Sequence, residues 1–191
     1  MRFTLVAVSA AALATITGCS EPVPQSPDGA FFISTTQDDP LKCKITGHTA
    51  QVGSVDPAAI NTTVTDGTNG TNVDCSVLNA TAPYEVRGKI DDTSIDGTGN
   101  FLEISIPSIS PGATKDAPAA GAATISAPWS GSAYSGDCNF YFEEGTDQTV
   151  ATGKIWVSFN CPGLQSNMST CPLKQGFAVF QNCLTEAPSD E

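Results

Sequence analysis

The sequence is poor in positive charge. Of its 191 residues, 8 are Lys or Arg and 20 are Asp or Glu, which gives a formal net charge of −12. This acidic excess argues against a nucleic-acid partner and against binding to an anionic lipid surface, because both are negatively charged. It is compatible with cationic partners or divalent metals, and it helps to keep the domain soluble.

Residue types that commonly carry catalysis are also scarce. His48 is the only histidine, and its neighbours Gly47 and Thr49 are typical of a turn. The sequence contains no Gly-x-Ser-x-Gly nucleophile elbow and no Cys-x-x-Cys zinc pattern. Nothing in it brings two carboxylates together, as a glycosidase requires. We therefore predict that the chain is not an enzyme; a hydrolase whose site the sequence does not reveal is an alternative.

Long hydrophobic runs are absent except at the N-terminus. Arg2 supplies a positive charge, and Leu5 to Ile16 form an apolar segment. This segment is too short to span a bilayer as a permanent helix, and its composition is typical of a cleaved export signal. We expect residues 1–18 to be removed from the mature chain.

The end of this segment, Ile16-Thr17-Gly18-Cys19, resembles the lipobox of bacterial lipoproteins. In that family the cysteine is acylated and becomes the new N-terminus. The resemblance implies lipidation at Cys19 and attachment to the membrane of the cell envelope. In such lipoproteins a serine after the cysteine is usual for delivery to the outer membrane, so Ser20 implies that location.

A proline-rich tether and a single domain follow the lipobox. Residues 19–29 contain three closely spaced prolines, which favour an extended, semi-rigid chain. Residues 30–191 are enough for one domain with a sizeable core. The whole chain is similar to surface lipoproteins that combine a lipobox, a tether and a disulfide-stapled β domain. That likeness implies a location but no reaction.

The sequence of the domain is typical of β-structure almost throughout. Short β-branched and aromatic segments alternate with Gly, Pro, Asp and Asn, which predicts an all-β fold, either an antiparallel β-sandwich or an open barrel. A helical turn is predicted at 56–60 and a long loop at 107–120. The predicted strands are 30–35, 42–46, 50–55, 61–65, 72–78, 84–90, 101–107, 121–127, 137–143, 153–160 and 176–182.

Six cysteines besides Cys19 predict three disulfides in an exported chain, although fifteen pairings are open. The pairing that the sequence supports best is Cys138–Cys161, because one hairpin register sets these residues opposite each other. The same register sets Phe140 opposite Phe159 and Phe142 opposite Val157. The remaining expected pairs are Cys43–Cys75 and Cys171–Cys183.

The same hairpin predicts a candidate ligand face. Strand alternation places Tyr141 and Trp156 on the side away from the core. Aromatic rings on a sheet surface can stack on sugars or anchor a protein partner. The alternative is that a second layer or a loop covers both rings.

One acidic stretch resembles a twelve-residue calcium loop. Calcium prefers six to eight oxygen ligands, and Gly97 stands at the sharp turn of such a loop. Gly99 departs from the family pattern, and both flanks predict strands where the family has helices, so an acidic hairpin loop is the alternative. The ligands that the resemblance implies are Asp92, Ser94, Asp96, Asn100 and Glu103. No other cofactor is expected.

These expectations describe a membrane-anchored envelope lipoprotein of the bacterial cell. Its domain is predicted to be a non-catalytic binding or structural module, with a protein or glycan ligand left open. The first alternative is a calcium-stabilised recognition domain for glycans or proteins. The second is the hydrolase considered above.

Overall fold

The structure, a computed structural model, describes residues 25–35, 41–43, 45, 47–59, 61–92, 99–166 and 169–186. Within these ranges the chain is all-β, and no described helix is long and apolar enough to cross a membrane. The strands are β1 (Asp28–Thr35), β2 (Thr49–Val52), β3 (Val64–Thr65), β4 (Thr71–Leu78), β5 (Tyr84–Asp92), β6 (Asn100–Ile109), β7 (Ala119–Ser126), β8 (Tyr134–Tyr141), β9 (Thr149–Ala151), β10 (Lys154–Ser166) and β11 (Ser169–Gln181).

All the strands belong to one antiparallel sheet. Its order is β2-β1-β11-β10-β8-β7-β6-β5-β4, with β3 paired to β1 and β9 paired to β10. The sheet curls into a half-barrel, and its concave face holds the main hydrophobic core. The predicted fold class, an all-β open barrel or sandwich with three disulfides, is confirmed in this form.

A glycine shows how far the sheet curls. Gly88 in β5 faces Phe180 in β11, although these strands are far apart in the sheet order. A Cβ atom on Gly88 would lie 2.5 Å from the Phe180 ring, closer than real Cβ contacts. Because Phe180 is fully buried, only glycine lets the two strands approach this closely across the core.

The C-terminal segment covers part of the β4 edge. The backbone N–H of Val77 donates to the carbonyl of Leu184 at 2.8 Å, and the N–H of Leu184 donates to the carbonyl of Cys75 at 3.0 Å. The disulfide Cys75–Cys183 fastens the same segment to β4. The end of the chain therefore occupies backbone groups that a bare edge strand would leave open.

Side chains cover the opposite edge, β2. Asn100 Nδ2 donates to the carbonyl of Gln51 at 3.2 Å, and Trp129 Nε1 donates to the carbonyl of Thr49 at 3.1 Å. Asn100 begins β6, and Trp129 lies between β7 and β8, so the curl of the sheet brings its far part back to β2. These two donors satisfy β2 carbonyls in place of another strand.

The disulfide prediction is confirmed for one pair and wrong for two. Cys138–Cys161 forms as predicted, with a Cα–Cα distance of 4.1 Å. Cys43 pairs with Cys171 and Cys75 pairs with Cys183, at Cα–Cα distances of 4.7 and 4.9 Å, so Cys43–Cys75 and Cys171–Cys183 are not formed.

The order of the strands explains why two of the disulfides pair differently from the prediction. β1 runs antiparallel to β11, with Thr35 opposite Leu173. Residues 41–43 lie beside the start of β11, where the N–H of Thr170 donates to the carbonyl of Lys42 at 2.9 Å. This places Cys43 next to Cys171, while the other end of β11 leads to β4 and Cys75.

Several predicted strand boundaries are also wrong. The segment predicted as a strand at 42–46 begins in a turn at Leu41 and Lys42. β9 was not predicted, and β10 and β11 extend through Pro162 and Pro172. Both prolines lie where the β10–β11 register shifts, and such irregularities tolerate a residue without an N–H. The long loop predicted at 107–120 is shorter in the structure, because β6 runs to Ile109.

Candidate functional site

The predicted register of the β8–β10 hairpin is confirmed. Phe140 lies opposite Phe159, with ring centroids 5.4 Å apart in the main core. Tyr141 lies opposite Ser158, and Trp156 packs against a second, smaller cluster on the convex side of the sheet. Tyr141 and Trp156 therefore share the face away from the core, as the alternation of side chains requires.

That convex face is covered, however. The second cluster consists of Ala30, Val55, Phe177 and Val179, and Val55 belongs to the segment that follows β2. Tyr141 is only 5% exposed. The prediction that Tyr141 contributes to an open ligand face is therefore wrong, because its side chain is almost fully buried. Trp156 is partly buried and keeps some exposure.

A buried polar network holds the loop between β8 and β9 against β10. Gln148 Nε2 donates to Ser158 Oγ at 2.8 Å, and the N–H of Glu143 donates to Gln148 Oε1 at 2.8 Å. Ser158 is fully buried and Gln148 nearly so. These hydrogen bonds fix the backbone on both sides of Asp147, which is itself exposed.

Hydrogen bonds also hold the segment between β2 and β3 in place. Ser54 and Thr62 exchange two backbone hydrogen bonds of 2.9 Å. Within the loop, the N–H of Asp56 donates to Asn61 Oδ1 at 3.2 Å. Because its oxygen is engaged in this way, the Asn61 amide presents its NH2 group as a donor to its surroundings.

Both loops line an open pocket of about 120 Å³ over β10 and β11, here called the Trp156 pocket. No hydrogen bond or ion pair engages the side chains of Asp147, Lys154 or Gln181 in the described part of the chain, and the same is true of the Thr149 hydroxyl. The pocket thus gathers four polar side chains that have no partner among the described residues. Its polar and aromatic lining is Asn61, Asp147, Thr149, Lys154, Trp156 and Gln181.

The indole of Trp156 is unusual in this setting. Its Nε1–H is shielded from solvent and has no acceptor among the residues that the structure describes. A buried donor without a partner costs roughly 1–3 kcal/mol of stability. Such groups are rare in folded proteins and call for an explanation, such as a bound water or a functional role.

A larger groove of about 650 Å³ crosses β4, β5 and β6 on the same convex side. Arg87 Nη2 lies 2.9 Å from Glu85 Oε1 in this groove, and Lys89 Nζ lies 5.8 Å from the centroid of the Phe101 ring. Part of its charged surface is therefore satisfied within the protein. The Trp156 pocket is the stronger candidate because one of its lining residues, Trp156, buries a donor without a partner among the described residues.

Of the predicted calcium ligands that the structure describes, Asp92 and Asn100 lie next to each other and Glu103 lies apart. Asn100 lies opposite Asp92, and its amide donates to the carbonyl of Gln51. Glu103 is exposed and lies opposite Lys89, on the other face of β6 from Asn100, because successive side chains of a strand alternate. The prediction that Glu103 completes the ligand set is therefore wrong.

Other predicted residues lie outside the described ranges. These include Ser94, Asp96 and the lipidation site Cys19. Among the described residues, no three His, Cys, Asp or Glu side chains come together as a group that could hold a metal ion. The ring of His48 stacks on Trp129 with a centroid distance of 5.2 Å, and His48 does not line the Trp156 pocket.

Sequence reasoning found Trp156 but missed the other residues of its pocket. Lys154 could have been found, because it lies two residues before Trp156 on the same face of β10. Asn61, Asp147 and Gln181 come from three other segments, and no local pattern joins them. No protein-family model, curated protein or solved structure matches the chain.

Proposed function

We propose that the chain is a lipid-anchored protein of the bacterial cell envelope whose β domain is a non-catalytic binding module. The lipobox-like residues Ile16 to Cys19 and the tether behind them support the anchor. Acyl chains on Cys19 would attach the protein firmly, since each buried CH2 contributes about 0.8 kcal/mol. Ser20 favours the outer membrane as the site of attachment.

The Trp156 pocket is the observation that carries the binding role. Ligand sites typically combine an apolar or aromatic wall with a few polar groups held in fixed positions. The pocket has both features, and the two loops that supply Asn61 and Asp147 are fixed by hydrogen bonds of their own. A site held in place before the ligand arrives loses less entropy on binding.

Binding is favoured over hydrolysis at this site because of its charges. Among the described residues, Asp147 is the one carboxylate in the pocket lining. The common mechanism of glycoside hydrolysis needs two carboxyl groups on either side of the scissile bond. Lys154 supplies a positive charge to the lining instead of a second acid. The lining is thus suited to hold a ligand through hydrogen bonds.

The test is sedimentation of the mature chain, residues 19–191 with Cys19→Ser to remove the lipid, with envelope material. Purified peptidoglycan sacculi and outer-membrane vesicles serve as separate probes. We expect the chain to pellet with one of them and Asp147→Ala to raise the apparent Kd of this binding about tenfold, which corresponds to about 1.4 kcal/mol.

Glu144→Ala is the matched control. Glu144 is an exposed acid of the same loop that does not line the pocket, so its removal should leave pelleting unchanged. A chain that pellets with neither probe, or one whose pelleting is equally strong after Asp147→Ala, would contradict the proposed role of the pocket.

A further inference from the structure

The charges of the Trp156 pocket favour a neutral ligand. Asp147 and Lys154 carry opposite charges and both line the cavity. Neither has an ion-pair partner in the described part of the chain. The lining therefore has no net charge with which to select an anion or a cation over a neutral molecule, but it has a strong donor and a strong acceptor of hydrogen bonds.

The uncharged groups that line the pocket also favour a neutral ligand. The Thr149 hydroxyl and the Gln181 amide can each donate and accept, and Asn61 offers its NH2 group. A ligand that matches this mixture needs several groups that both donate and accept. Hydroxyl groups have this property, whereas a carboxylate or a phosphate can mainly accept.

The aromatic side chain of Trp156 is also suited to a sugar ligand. Trp156 lines the cavity beside Val179, and aromatic side chains combine a large apolar face with a polar edge. A sugar ring has C–H groups that pack on such a face and hydroxyl groups around its rim. We propose that the Trp156 pocket binds one neutral sugar residue of an envelope glycan. This inference rests on the proposed binding function and names its ligand class.

The size of the pocket limits the ligand to a single residue. Its volume of about 120 Å³ is well below the roughly 300–1,000 Å³ of sites that hold drug-sized ligands. The pocket therefore has room for at most one sugar ring and not for a chain of sugars. The side chains of Asp147, Lys154 and Gln181 are exposed at its rim, so the rest of a glycan would extend into solvent.

The experiment uses intrinsic fluorescence of the mature chain carrying Cys19→Ser. The protein has two tryptophans, so Trp129→Phe leaves Trp156 as the sole tryptophan, which is excited at a wavelength that tyrosine does not absorb. The probes are methyl glycosides of glucose, galactose, mannose and N-acetylglucosamine. We expect a saturable change in Trp156 emission with at least one of them.

Variants then locate the binding. Asp147→Ala should raise the Kd of that glycoside about tenfold or more, and Glu144→Ala should leave it unchanged. Both positions are exposed, so both variants should fold, which unchanged thermal unfolding would verify. A second variant, Trp156→Phe, is followed by calorimetry and should also weaken binding, because it reduces the aromatic face.

Three results would overturn the inference: no glycoside changes the emission, Asp147→Ala binds as tightly as the parent, or glycine and inorganic phosphate bind better than any glycoside. If sedimentation with envelope material depends on Asp147 but no glycoside competes, the binding function stands and the sugar assignment falls. If a glycoside binds at the pocket but the chain pellets with neither probe, the sugar assignment stands and the envelope role falls.

Discussion

Replacing each tryptophan by phenylalanine should change stability in opposite directions. Trp129 Nε1 donates to the Thr49 carbonyl at 3.1 Å, whereas Trp156 Nε1 is shielded from solvent without an acceptor among the described residues. The same chemical change therefore removes a hydrogen bond at Trp129 and an unsatisfied donor at Trp156. Because the two substitutions are identical, each serves as the control for the other.

The expected magnitudes follow from these environments. At Trp156 the gain from removing an unsatisfied donor is about 1–3 kcal/mol. The smaller ring leaves a void of at most about 40 Å³, which costs about 1 kcal/mol or less at roughly 24 cal/mol per Å³. Trp156→Phe should therefore stabilise the fold by about 0–2 kcal/mol. Trp129→Phe loses a hydrogen bond of about 0.5–1.5 kcal/mol as well as packing.

The assay is thermal and urea unfolding of the oxidised mature chain with Cys19→Ser, followed by far-ultraviolet circular dichroism. For a domain of this size 1 kcal/mol shifts Tm by roughly 2–4 °C, so the two variants should differ by several degrees. If Trp156→Phe lost as much stability as Trp129→Phe, the Trp156 N–H would have an acceptor such as a bound water, and our reasoning about this donor would be refuted.

Two further predictions concern covalent chemistry. Mass spectrometry of a non-reducing digest should find peptides linked through Cys43–Cys171, Cys75–Cys183 and Cys138–Cys161; a Cys43–Cys75 peptide would contradict the strand order, because that order separates these residues. In a diderm bacterium fed tritiated palmitate, the wild-type chain should be labelled and found in the membrane fraction, and Cys19→Ala should lose both properties; a labelled Cys19→Ala chain would show that the acyl group is elsewhere.

Local pattern predicted the parts of the fold that are local in sequence. Cys138 and Cys161 are 23 residues apart and belong to neighbouring strands, so simple alternation sets their register. The other disulfides span 128 and 108 residues. Their pairing depends on β11 lying next to β1, and no short stretch of sequence encodes that order.

In the candidate site, too, local sequence pattern predicted some features and could not predict others. Alternation along β8 and β10 placed Tyr141 and Trp156 on the correct face. It could not show that the segment around Val55 would cover that face, since loop positions depend on tertiary contacts. Asn61, Asp147 and Gln181 reach the pocket from separate segments, and their proximity exists only in the folded sheet.

Stability and function make opposing demands at Trp156. Phenylalanine would fill most of the same space without burying a donor, so the packing of the convex face does not by itself explain the indole. A binding role does explain it, because active and binding sites often retain features that weaken the fold. Trp156→Phe should therefore give a domain that unfolds at a higher temperature and binds a glycoside more weakly. If the variant gained stability and kept its affinity, the unsatisfied donor would have no role in binding. Ligand binding would then depend on Asp147 and the other polar residues of the pocket.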